Sequence, residues 1–97
     1  MIFREVNWSK KGATKMMVTV MQKHTDADAM VYDYYVEGRR KKYSDTGHIV
    51  LLAMGGMSTW RAINDVQETY LKQAIQALVT KRDQNGGVYP QKITITS

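Results

Sequence analysis

The sequence predicts an α+β fold, a small antiparallel β-sheet of about four to five strands packed on one long α-helix. Three observations carry that prediction. Segments rich in β-branched and aromatic residues fill the chain before residue 54, and apolar residues recur at helical spacing from Trp60 to about Lys81. A short alternating segment, Lys92 to Thr96, then follows Asn85-Gly86-Gly87. A chain of 97 residues has room for one domain, residues 1–97, with a thin core that self-association would enlarge.

The elements follow in chain order. Ile2, Val6 and Trp8 mix with charged residues in a strand-like opening, which Ser9-Lys10-Lys11-Gly12-Ala13 interrupts. Met16 to Gln22 is expected as a second strand, with a polar loop over Lys23 to Asp28. The third strand, Met30 to Glu37, sets Tyr32 and Tyr34 on one face and Asp33 and Tyr35 on the other. After a basic bend, Tyr43 begins a return arm that runs into Ile49 to Met54, an apolar stretch expected to be covered on both faces. Ser58 or Thr59 is expected to cap the helix, and Glu68 and Lys72 form an i,i+4 pair on its outer side. Pro90 marks the last strand as an edge strand.

Function is read first from charge. The formal net charge is +5, and Arg39, Arg40, Lys41 and Lys42 alone contribute +4, so the excess is local. A run of cations at a hairpin bend can follow a phosphate backbone, since each neutralised phosphate releases a condensed counterion. Lys10, Lys11 and Lys15 form a second basic cluster, which would extend the surface if both loops lie at one end of the sheet. One helix covers one sheet face, so tyrosines among Tyr32, Tyr34 and Tyr35, with Tyr43 beside the bend, would be free to stack on bases. The plainer roles are a solvated turn that resists edge pairing, and rings that cover a half-buried sheet or close a dimer.

Other signals are weaker. Gly55-Gly56-Met57-Ser58-Thr59 has the chemistry of an anion-binding helix start but lacks the P-loop ending. His24, Asp26 and Asp28 share a strand parity, and Asp45 and His48 form another polar pair, but neither has a recognised metal spacing. The chain has no cysteine, which excludes disulfides and thiolate chemistry, and carries no nucleophile elbow or paired-carboxylate motif. No catalytic residue, metal or cofactor is expected. The opening residues lack an apolar leader, and no run is long enough to span a bilayer, so a cytoplasmic location away from membranes is expected. The resulting expectation is a small non-enzymatic protein, a homodimer, that binds DNA or RNA through its basic hairpin tip and an aromatic sheet face. The alternative is a protein-binding module, such as an inhibitor, adaptor or viral accessory factor, acting through the uncovered face.

Overall fold

The computed structural model of the chain describes residues 16–96. Five strands appear among them: β1 (Met17–Thr25), β2 (Ala29–Val36), β3 (Thr46–Leu52), β4 (Met57–Trp60) and β5 (Lys92–Thr96). They form one antiparallel sheet in the order β4-β3-β2-β1-β5. A single helix, α1 (Thr69–Gln84), packs on one face. The expected α+β architecture is therefore present, including the antiparallel pairing of β2 and β3 around the basic bend. The expected strand at Ile2 to Trp8 lies outside the described residues.

Alternation along the strands decides the two faces. Val18, Val20, Tyr32, Tyr34, Val36, Ile49, Leu51 and Ile93 point toward Leu71, Ala74 and Leu78 of α1 and form the core. The opposite face carries Met17, Thr19, Met21, Val31, Asp33, Tyr35, His48, Val50 and Trp60, as their cross-strand register requires. β3 is consequently buried on alternate residues rather than throughout. Its end does not continue as a covered strand, since Leu52, Ala53 and Met54 are exposed. The apolar composition of Ile49 to Met54 is misleading on this point because half of it faces outward.

The largest departure from expectation is the start of the helix. Trp60, Ile63 and Val66 fit a 3.6-residue stripe, yet Trp60 ends β4, while Ile63 and Val66 sit exposed in the connection. Gly55 and Gly56 both have positive φ, 95° and 106°, which lets the chain reverse after β3. The reversal pairs Met57 with Leu51 and Trp60 with His48 as a further strand. Ser58 and Thr59 are thus strand residues and cap nothing, and Gly55-Gly56 precedes no helix, which removes the anion-site reading. The helix has 16 residues and spans about 24 Å.

Its true beginning is held by a side chain from outside it. Asp65 is buried, and its Oδ2 accepts hydrogen bonds from the Leu71 N–H (2.9 Å) and the Tyr34 hydroxyl (2.8 Å). Oδ1 accepts from the Tyr70 N–H at 3.1 Å. Two of the orphan N–H groups of the first helical turn are satisfied in this way, work normally done by the N-cap side chain. The N-cap residue itself, Glu68, is left-handed (φ 60°) and makes no side-chain cap. Glu68 therefore stands at the helix boundary, with its carbonyl accepting from the Lys72 N–H, and does not form the outer ion pair expected with Lys72. The C-terminal end agrees with expectation, since Asn85 follows the last helical residue and closes back onto the Lys81 carbonyl.

Candidate nucleic-acid interface

The basic bend leaves the sheet abruptly. Glu37 and Gly38 both take positive φ (53° and 70°), and the Gly38 and Arg39 N–H groups return to the Tyr35 and Val36 carbonyls. A side chain at residue 38 would bring its Cβ within 2.9 Å of Met17 Cε. The positive φ is what favours glycine there, since the Met17 methyl lies at the end of a flexible side chain and can give way. Residues 39–42 then form an exposed stretch, and a short 3-10 turn, Tyr43–Asp45, leads into β3.

The two acids at the base of this stretch have partners inside the protein. Glu37 Oε2 accepts from the Tyr70 hydroxyl (2.5 Å) and from the Met17 N–H (3.4 Å). That contact, joined by burial and the charge of Glu37, pushes the Tyr70 hydroxyl up to about 12. Asp45 is 1% exposed and accepts from Asn64 Nδ2 at 2.8 Å, with Arg39 Nη1 at 3.7 Å. Arg39 is therefore engaged in part by the fold. Arg40 lies over the Tyr35 ring, 5.9 Å from its centroid, in cation–π geometry. Lys41 and Lys42 are exposed. Gly38 through Lys42 line an open concavity of ≈ 430 Å³.

The tyrosines fall differently from expectation. Tyr32 and Tyr34 have no exposed surface, so no base can stack on them. Their rings face α1, and their hydroxyls are used internally: Tyr32 donates to the Pro90 carbonyl (2.6 Å), while Tyr34 donates to Asp65 and accepts from the Ala62 N–H (2.9 Å). Burial pushes both hydroxyls above the ordinary tyrosine value. Tyr35 does take the other face, as its parity requires, but it is only 4% exposed, beneath Arg40 and between Thr19 and Thr46 on the neighbouring strands. Tyr43, 83% exposed beside Lys42, is the one of the four that a ligand can reach. Lys10, Lys11 and Lys15 lie outside the described residues.

Sequence reasoning overlooked the aromatic that the open face does present. Trp60 is 54% exposed there and pairs across the strands with His48. His48 Nδ1 is 2.8 Å from Asp33 Oδ1, a cross-strand contact on the same face. Asp45 and His48, expected as a polar pair, are thus given different partners. The clue to Trp60 was Gly55-Gly56, a turn signal followed by four residues that suit a strand as well as a helix.

His24, Asp26 and Asp28 form no ligand set. The Asp26 carboxylate instead accepts the Asp28 and Ala29 N–H groups (2.8 and 3.0 Å) and lies 3.1 Å from His24 Nε2. The Asp28 N–H contact, followed by the His24 contact, lowers the Asp26 carboxyl below the ordinary value. Among the described residues there is no cluster of three or more acidic, histidine or cysteine groups able to hold a metal, and no helix long and apolar enough to cross a membrane. No protein-family model, curated protein or solved structure matches the chain.

Proposed function

We propose that the protein is a non-catalytic binder of nucleic acid that grips the phosphate backbone with its basic turn. The observation that carries this reading is the exposed run Arg39-Arg40-Lys41-Lys42, projected from a turn whose own acids, Glu37 and Asp45, are held by internal partners. Three cations, Arg40, Lys41 and Lys42, stand without a carboxylate within ion-pair distance among the described residues, and Arg39 adds part of its charge. Residues that neutralise phosphates act on any sequence, so the turn supplies affinity and not base preference.

The same reading takes the working protein to be a cytoplasmic homodimer. A dimer would double the number of basic turns on one polyanion and so raise its avidity.

The test is binding of labelled DNA and RNA oligonucleotides by the protein and by an Arg40→Ala/Lys41→Ala/Lys42→Ala variant. Arg39 is left in place because it serves the fold through Asp45. Loss of binding in a variant that keeps its melting temperature supports the reading. Undiminished binding overturns it.

A second reading rests on the open sheet face. Met21, Val31, Val50, Leu52 and Trp60 share that face and are at least partly exposed. Such a surface suits a protein partner, and mass measured by light scattering at rising concentration, alone and after nuclease treatment with captured proteins, distinguishes that role.

A further inference from the structure

We infer that the open sheet face beside the basic turn is a stacking surface that makes the protein prefer single-stranded nucleic acid, with Trp60 as the principal platform. This rests on the nucleic-acid reading of the turn and adds to it the form of the ligand.

Asp33, His48 and Trp60 occupy one row across β2, β3 and β4, so their side chains emerge on the same face. Tyr35 and Thr46 form the next row toward the turn, about 7 Å along the strands. Arg40 folds from the turn onto the Tyr35 ring and so bridges the basic stretch to the face. Trp60 is 54% exposed as a residue, and the His48 side chain beside it is 47% exposed. Asp33 receives the His48 imidazole at 2.8 Å, which fixes the ring's orientation. Directly paired residues carry Cβ atoms about 5 Å apart, so the indole and the imidazole emerge side by side on this face.

An exposed indole on a sheet surface favours a flat, weakly polar cover. A nucleobase provides one, and a strand whose phosphates lie along Arg40, Lys41 and Lys42 would carry its bases toward this row. In a duplex the base faces are already stacked on each other, whereas an unpaired strand offers them. Stacking on aromatic rings tolerates every base, because each has a π face. The charge of the adjacent turn favours this occupant over an apolar protein surface, which would leave those cations beside a buried interface.

The experiment compares oligothymidylate and oligouridylate with a duplex of equal length. Trp60→Ala and Trp60→Phe are measured beside the unaltered protein, each checked by circular dichroism for an intact fold. Trp8→Phe provides a background in which Trp60 is the single tryptophan. The expected results are a preference for the single strands, quenching of Trp60 emission by them, a fall in the single-strand to duplex affinity ratio of roughly tenfold in Trp60→Ala, and partial retention in Trp60→Phe. An unchanged ratio in Trp60→Ala, or Trp60 emission indifferent to the strand, overturns the inference while leaving the turn's role intact. A halved molar mass in Trp60→Ala would also overturn it, by making the face an interface between copies. Failure of the unaltered protein to bind either form would refute the nucleic-acid reading itself.

Discussion

The Tyr34 hydroxyl donates a 2.8 Å hydrogen bond to Asp65, and through that carboxylate the central strand of the sheet is tied to the first turn of the helix. Tyr34 sits in β2 and has no exposed surface, and Asp65 carries two helix N–H groups besides it. The hydroxyl also accepts the Ala62 N–H, which fixes the incoming connection from β4. One phenol therefore sets the relation between three elements. Tyr34→Phe keeps the ring but leaves Asp65 and the Ala62 N–H each short of a partner. The expected loss is about 1–3 kcal/mol in denaturant unfolding. Asp65→Ala is expected to cost more, since it also removes the support of two N–H groups at the helix start. Equal stability of Tyr34→Phe and the unaltered protein would show that the pair does not anchor the helix.

Gly47 is the counterpart of Tyr34 in the sheet. The two are cross-strand partners, and a Cβ on Gly47 would come within 2.1 Å of Tyr34 Cε2 and 2.7 Å of the Trp60 carbonyl oxygen. The ring reaches Asp65 only by passing over a residue with no side chain. Gly47→Ala should cost at least about 1–3 kcal/mol. Combined with Tyr34→Phe it should cost less than the sum, because displacing the ring already breaks the hydroxyl contacts that Tyr34→Phe removes. Strict additivity in a double-mutant cycle would argue against this coupling.

Stability should fall at alkaline pH for a defined reason. The Tyr70 hydroxyl is raised to about 12, first by its hydrogen bond to Glu37, and Tyr32 and Tyr34 are raised by burial. A folded-state value above the unfolded value of 10.0 means the unfolded chain releases its proton first. The stabilisation is thus complete below pH 10 and is lost as pH rises through 12. Tyrosinate absorbance and circular dichroism followed together should show ionisation of these residues coinciding with unfolding. Tyr70→Phe should flatten the pH dependence of stability in this window. Tyrosines that all ionise near the ordinary value with the fold intact would contradict the assignment.

Arg39, Lys41 and Lys42 should separate by their effect on stability. Arg39 faces the buried Asp45 at 3.7 Å, so Arg39→Ala should cost about 1 kcal/mol. Lys41→Ala and Lys42→Ala, both at exposed positions, should stay within about 0.5 kcal/mol of the unaltered protein. Thermal melts of the single variants test the distinction.

The features legible in the sequence are those fixed by local chemistry. β2, β5 and the end of α1 fall where alternation, Pro90 and Asn85-Gly86-Gly87 put them. Parity also separates Tyr35 from Tyr32 and Tyr34. The helix start is not legible, because Trp60, Ile63 and Val66 satisfy a helical period that the Gly55-Gly56 reversal overrides. Nor are the partners of the polar groups. Asp65 lies 31 positions from Tyr34, and His48 lies 15 from Asp33, so only the folded sheet brings them together. The candidate site is legible at its charged turn and not at its aromatic face, since exposure of a strand residue depends on which face the helix covers.

The salt dependence of nucleic-acid binding tests the central claim most directly. Log K against log salt concentration should fall linearly for the unaltered protein, with a slope set by the phosphates neutralised. In the Arg40→Ala/Lys41→Ala/Lys42→Ala variant that slope should flatten by about 2–3, at roughly 0.7 to 0.9 for each phosphate no longer neutralised. A folded variant that binds with the same slope would show that the basic turn does not hold the phosphates, and the proposed function would fall with it.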